Sequence, residues 1–532
     1  MDKSKFFKCF LLLFFPLLCF VIYLPAFVTE FGFHNDYSML IYNKNSWLGF
    51  IESGHLLLIG RALGAVFISL HCHFLHRISD FAISRLVAFG AMVIFTLCLF
   101  RYFRKKSQGN VFWSCLMAWG LFLLPSNQTF ILWTCNFGPG PLNLLLAFAA
   151  YSLLESAGGD DIFLSQRRHK LTSVFYLLGS FLLFLASLFI YSPTSIFVFV
   201  LTFLLILFSP LSQWPRTRLI VLRDFLFFGA AMLVYWLLDR SVIFPLALKT
   251  GQFGIPVQPE YKMAVTSDWS AKIPLLKETW LCSLSGPWHL FWGNQGAFMT
   301  VSILIILGGM IVYRAKTVSP KFFEQFSRSK KILYPGQIAL AIFLIFVGVN
   351  LPMLFAQGNL NVRGYRVLFP SASMILIAQF WLMYKNDQFA SKEHPFSFMK
   401  IGAFVLILFY AFLTLENVSD TARNYSRELN FIREKVEAAD LAETRVFVVK
   451  VIPRGETVIK RKMPFEFGYM ITDPQHVAPI IWESLKDKGL NPRPCLLVPP
   501  EVVIDPRITR AGFYIIDLNE LRPDIRNPES HP

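Results

Sequence analysis

Charge is what this sequence has least of. Asp, Glu, Lys and Arg make up 16% of its 532 residues, where a soluble domain carries about a quarter. So few charges cannot cover a water-facing globular shell over so long a chain. Cysteine is also sparse: the 8 residues are scattered at no regular spacing, which excludes reading a disulfide framework from them. No internal repeat is present, which excludes a solenoid or a propeller.

What is present is apolar. Hydrophobic residues make up 55% of the chain, and Phe alone accounts for 57 positions. Runs of about 20 apolar residues recur from residue 9 to residue 415, each long enough to cross about 30 Å of hydrocarbon. Backbone in lipid must satisfy its own hydrogen bonds, and these runs do not alternate as barrel strands do, so they are helices. The expected fold is mainly α, a polytopic helical membrane protein. Its roughly eleven spans are 9–30, 84–100, 110–124, 141–156, 172–190, 194–209, 219–238, 291–313, 333–353, 367–384 and 399–415.

The net charge of +16 could suggest nucleic acid. Its distribution argues instead for a lipid bilayer as the partner and for no nucleic acid. Alternate connections are basic, as at Arg101, Arg104, Lys105 and Lys106, or Arg314, Lys316, Lys321 and Arg328. The short connections between them, 125–140 and 191–193, hold no Lys or Arg. By the positive-inside rule the basic set is cytoplasmic. That predicts a multi-pass inner (plasma) membrane protein with its N-terminus inside and residues 416–532 outside. Lys3, Lys5 and Lys8 precede an apolar run with no small-residue cleavage site, so the first run reads as a retained span and not a signal peptide.

Two units follow: a membrane unit, 1–415, and an extracytoplasmic unit, 416–532. The second reads as a small α/β domain. Residues 423–441 and 476–488 are helical in pattern, and 445–450, 495–498 and 513–518 read as strands. It has no Gly-rich nucleotide loop and no catalytic signature.

Candidate chemistry gathers on the predicted outer side. His34, Asn35, Asp36 and Tyr37 follow the first span at once, and Glu52, His55 and Arg61 lie in the same long loop. Asp36 is read as an exposed loop carboxylate able to take a proton. Asn127, Gln128 and Trp133 in the second outer loop could bond and stack on a sugar ring, or simply cap a helix and anchor it at the interface. Tyr191 sits in a Tyr-Ser-Pro turn and is an interface anchor or a substrate contact. Arg363 and Arg366 stand just before a span, on the side where arginine is disfavoured. Arginine there can hold a phosphate bidentately, or it can snorkel. His71, His73 and His76 resemble a metal tract, but no second ligand cluster accompanies them, so no metal site is assigned.

In this order, the residues resemble the GT-C superfamily of integral-membrane glycosyltransferases. The likeness is closest to the bacterial O-antigen glucosyltransferases of the phage-conversion type. It rests on Asn35-Asp36, Gly60-Arg61, the series Pro125, Gln128, Trp133, then Tyr191-Ser192-Pro193, and Asn361, Tyr365, Arg366. Many members carry an acidic pair in the first outer loop. Here Asp36 stands alone, and Glu52 is the nearest second acid.

The resemblance implies a polyprenyl-phosphate sugar donor and a glycan or lipid acceptor in the cell envelope. Transfer would take place at the outer face by inverting single displacement. Asp36 would be the base, and Arg61 and Arg366 would stabilise the departing phosphate. The residues assign no cofactor with certainty, and a divalent cation could assist. The alternatives are a transporter or flippase for a lipid-linked saccharide, and a non-catalytic envelope-assembly protein. Transporters place ionisable groups at mid-membrane, and these runs hold very few.

Overall fold

The computed structural model describes residues 3–40, 60–157, 167–246, 269–288, 294–318, 328–349, 365–390, 398–450, 474–498 and 513–521. Its helices in the first half are α1 (Lys3–Val28), α2 (Ala62–Phe74), α3 (Asp80–Lys106), α4 (Val111–Phe122), α5 (Pro125–Leu132), α6 (Asn143–Ala157), α7 (Arg167–Ser195), α8 (Phe197–Phe208) and α9 (Trp214–Leu238). The second half adds α10 (Trp269–Ser285), α11 (Asn294–Val318), α12 (Arg328–Val349), α13 (Tyr365–Ala390) and α14 (Phe398–Ala438).

Each predicted span overlaps one of these helices. Among the described residues, six helices are individually long and apolar enough to cross a membrane, or seven if the bent pair α4–α5 counts as one. Helix α8, with 12 residues, rises only about 18 Å and cannot cross 30 Å of hydrocarbon by itself. Helix α2, 13 residues long, is likewise too short to span, in keeping with an interfacial segment.

The bend between α4 and α5 is 57° and has a local cause. Pro125 opens α5, lacks an N–H, and forces Leu124 out of the helical region (φ −62°, ψ 145°). The chain then turns back into the protein. Every residue of α5 is buried, where the sequence reads as an outer loop.

Helix α13 is the hub. It packs on α4, α5, α8, α10, α11 and α14, and buries Phe369, Leu376, Ile377 and Phe380. Two of its amides are buried as well; Asn386 donates to the Leu307 carbonyl at 3.0 Å, and Gln379 accepts from Tyr410 Oη at 3.2 Å.

Helix α14 runs without a break from Phe398 to Ala438, through the residue-415 end of its apolar stretch. Beyond it lies a small α/β unit of β1 (Val446–Lys450), α15 (Pro474–Asp487), β2 (Cys495–Val498) and β3 (Phe513–Asp517). The three strands are parallel, in the order β2-β1-β3. Phe447 registers with Cys495 on one side and Tyr514 on the other. Parallel neighbours need a crossover, and α15 is the helix between β1 and β2. Its Val477, Ile480, Ile481 and Leu485 are buried, as are Phe447, Val449 and Ile516 of the sheet.

Candidate functional site

Asp36 sits where the chain leaves α1. The helix ends at Val28 and the chain turns through a 3-10 segment, His34–Leu40. Local hydrogen bonds close this turn on itself. The Gly32 N–H donates to Tyr37 Oη at 2.6 Å, and the Phe33 N–H donates to Asp36 Oδ2 at 2.9 Å. The Asp36 N–H returns to the Phe33 carbonyl at 3.1 Å. A donor from far along the chain, the Thr134 N–H, reaches Asp36 Oδ2 at 3.3 Å.

Asp36 is completely buried, which corrects the expectation of an exposed loop carboxylate. The reason is long-range packing. Phe33 lies against Trp133 and Tyr425, with ring centroids 5.7 and 5.1 Å apart. Burial pushes the Tyr37 phenol far above its ordinary range, so it stays neutral.

Gly32 is required here by space. A Cβ on it would lie 2.6 Å from the Tyr37 ring, and Phe81 packs edge-on against that ring at 5.9 Å. Gly32→Ala is therefore expected to lower stability by about 1–3 kcal/mol through overpacking. Thermal unfolding of the solubilised protein measures this, and an unchanged midpoint would mean that the turn can yield.

Arg85, in the second turn of α3, is the residue that sequence reading missed. It is completely buried. Its Nε donates to the Leu132 carbonyl at 3.0 Å and its Nη1 to the Ala26 carbonyl at 3.3 Å. Its Nη2 donates to the Phe31 carbonyl, and the guanidinium lies 3.6 Å from the centroid of the Phe31 ring. Asp36 and Tyr37 supply its electrostatic partners. One cation thus ties the end of α1, the Asp36 turn and the end of α5 together. The available signal was a lone arginine inside an otherwise uncharged run, which is rare unless the charge is satisfied.

The other candidates separate. Asn127 and Gln128 are buried in α5 and do not line an outer loop; the Asn127 amide donates to the Leu121 carbonyl inside the bend. Trp133 is buried against Phe33. Tyr191 is no exposed turn. It is a non-helical break (φ −163°, ψ 95°) within α7, and is buried. Its carbonyl accepts from Asn143 Nδ2 at 2.8 Å.

The guanidinium of Arg61 lies 4.4 Å from the Tyr191 ring centroid, so these two predicted residues do meet. Gly60, just before Arg61, has φ +74° and gives its carbonyl to Tyr235 Oη at 3.1 Å. His34 opens the 3-10 turn and Arg366 is the second residue of α13. Glu52, His55 and Arg363 fall outside the described residues.

The structure therefore builds two clusters, one around Asp36 and one around Arg61. Among the described residues no group of three or more His, Cys, Asp or Glu could hold a metal ion. In the His tract, His71 bonds Ser84 Oγ at 2.8 Å, stacks on Phe137, and is pushed down to about 4 by burial.

The α/β unit closes over the Asp36 turn. Helix α15 packs on residues 34–40. Its Glu483 Oε1 accepts the Ile78 N–H at 2.7 Å, and Oε2 lies 3.5 Å from Arg433 of α14. Arg433 in turn grips Glu30 with two bonds of 2.9 and 3.0 Å. Burial raises the Glu483 carboxyl above its usual range. These ion pairs join the end of α1, the start of α3, α14 and the α/β unit.

No family model matches the chain, and no curated protein matches it. Among solved structures it is similar to the archaeal oligosaccharyltransferase AglB from Archaeoglobus fulgidus, solved with an inhibitory peptide and a dolichol-phosphate. Identity is 11% and the TM-score 0.42, over 84% of this chain and 63% of that one. At that score the likeness transfers neither family nor activity.

Proposed function

We propose that this protein is a membrane glycosyltransferase of the GT-C kind. It moves a sugar from a polyprenyl-phosphate donor to an envelope glycan or lipid acceptor at the outer face of the membrane. The observation that supports this best is the carboxylate at the exit of α1. It is set by two backbone N–H donors and backed by the satisfied cation Arg85.

In the reaction, an acceptor hydroxyl oxygen attacks the anomeric carbon. The bond from that carbon to the phosphate oxygen breaks, and polyprenyl phosphate leaves with the electron pair. The hydroxyl proton passes to Asp36, and the anomeric centre inverts. Lipid phosphate is already a competent leaving group, so the protein has to supply positive charge to it and not an acid. Arg366 at the start of α13, Arg363 just before it, and Arg61 against Tyr191 are the cations assigned to that task. Because Asp36 is enclosed, an acceptor reaches it only when the packing around residues 34–40, to which α15 contributes, opens.

Reconstitution with a short-chain polyprenyl-phosphate hexose tests the reading. Arg366→Ala should lower donor use by about 10- to 100-fold, the worth of one charged hydrogen-bonding group. Arg366→Lys should lower it less, because it keeps the charge and loses the planar fork. Equal turnover per folded molecule in wild type and both variants would end the phosphate assignment.

A further inference from the structure

An open cleft of about 850 Å³ lies between α14 and the end of α1. Pro25 in the last turn of α1 and Thr29 just after it line one side, α14 lines another, and Glu520 of the α/β unit completes the rim. Residues 419, 423, 426, 430 and 434 recur at helical spacing and form one polar stripe facing it. The opposite stripe of the same helix buries Tyr425, Leu429, Ile432 and Val436.

The cleft is distinguished by bonding capacity that the protein does not use. Thr414 and Thr421 on α14 both bond back to the carbonyl four residues earlier, at 2.8 and 2.7 Å. Among the described residues, Ser419 and Ser426 make no such bond, and Arg427, Asn430 and Glu434 have no ion pair or hydrogen bond. Arg423 has only a loose, exposed contact with Asp420 at 3.5 Å, of the kind worth little.

Level in the membrane then selects the ligand. Arg423 and Arg427 share the cleft with Pro25 and Thr29, where the first apolar run ends, which sets these cations near headgroup height. The amide of Asn430 and the carboxylate of Glu434 stand above them, up to about 22 Å along the helix from Ser419, while Glu520 is held by Lys435. Cations at the base suit a phosphate, and an amide and a carboxylate above suit hydroxyl groups.

We propose that this cleft binds a membrane-anchored phosphosaccharide, its phosphate on Arg423 and Arg427 and its sugar hydroxyls on Asn430 and Glu434. This rests on the proposed transfer only in giving the acceptor a docking place. Binding itself does not require catalysis.

The test places an environment-sensitive fluorophore on Glu437→Cys, an exposed position one turn beyond the cleft, with equally treated wild type as background. The probes are a short-chain lipid phosphosaccharide, the same sugar phosphate without lipid, and the lipid phosphate without sugar. The complete probe should bind at least about tenfold more tightly than either half, and Arg427→Ala in the labelled protein should weaken it by about tenfold or more. Unchanged affinity in Arg427→Ala would overturn the proposal. So would equal affinity for the lipid phosphate alone, which would make the cleft a general anionic-lipid contact. Asp36→Asn must retain the binding signal. If that variant also retains full transfer, the transfer reading fails and the cleft stands. If transfer requires Asp36 and no probe moves the fluorophore, the cleft fails and the transfer reading stands.

Discussion

Asp36→Asn is expected to reduce sugar transfer per folded molecule by about 10²-fold or more, the usual effect of losing a general base. The substitution keeps an oxygen for the Phe33 and Thr134 N–H groups and removes the basic site. It also removes a negative charge beside buried Arg85, so folded yield should fall too. Turnover must therefore be normalised to monodisperse protein. If Asp36 only braced the turn, yield would fall and turnover per folded molecule would stay at the wild-type value. That result would end its assignment as the base.

The largest stability effect is expected at Arg85. Arg85→Leu leaves the carbonyls of Ala26, Phe31 and Leu132 without the donors they have now, in surroundings with no exposure. Removing one side of a buried charged network costs on the order of 3–5 kcal/mol. Arg85→Lys keeps the charge and cannot reach three carbonyls at once, so it should fall between. Denaturation of the solubilised proteins, with proteolysis near residues 29–40 as a local readout, measures both. Wild-type stability in Arg85→Leu would mean that the Asp36 turn is held by packing alone.

The sequence and the fold agree where the determinants are local. Twenty-residue apolar runs located the helices, and β-branched runs such as Val446-Phe447-Val448-Val449 located the strands. The parallel order of those strands was not legible, because pairing depends on partners some 50 residues away or more. Asp36 was legible as a position. Its burial was not, because the enclosing groups, Thr134 and α15, lie about 100 and 450 residues further on. Ser126-Asn127-Gln128 after Pro125 has the composition of a loop. The Pro125 bend instead turns those amides inward, where the Leu121 carbonyl supplies a partner. Arg85 escaped notice because averaging hydropathy over a window dilutes a single charge.

Helix α14 has a mechanical consequence. Its 41 residues form a rod about 60 Å long, of which about half lies in hydrocarbon. The half beyond the hydrocarbon acts as a lever for whatever is fixed to its tip. A span tilts when the surrounding bilayer thins, and a tilt of about 10° swings the end of a 30 Å arm sideways by about 5 Å. That displacement exceeds the length of any of the bonds that Glu483 and Arg433 make at the α/β unit. Bilayer thickness would then strain the seal over Asp36 directly, and the lipid composition of the host membrane would set how often that seal parts.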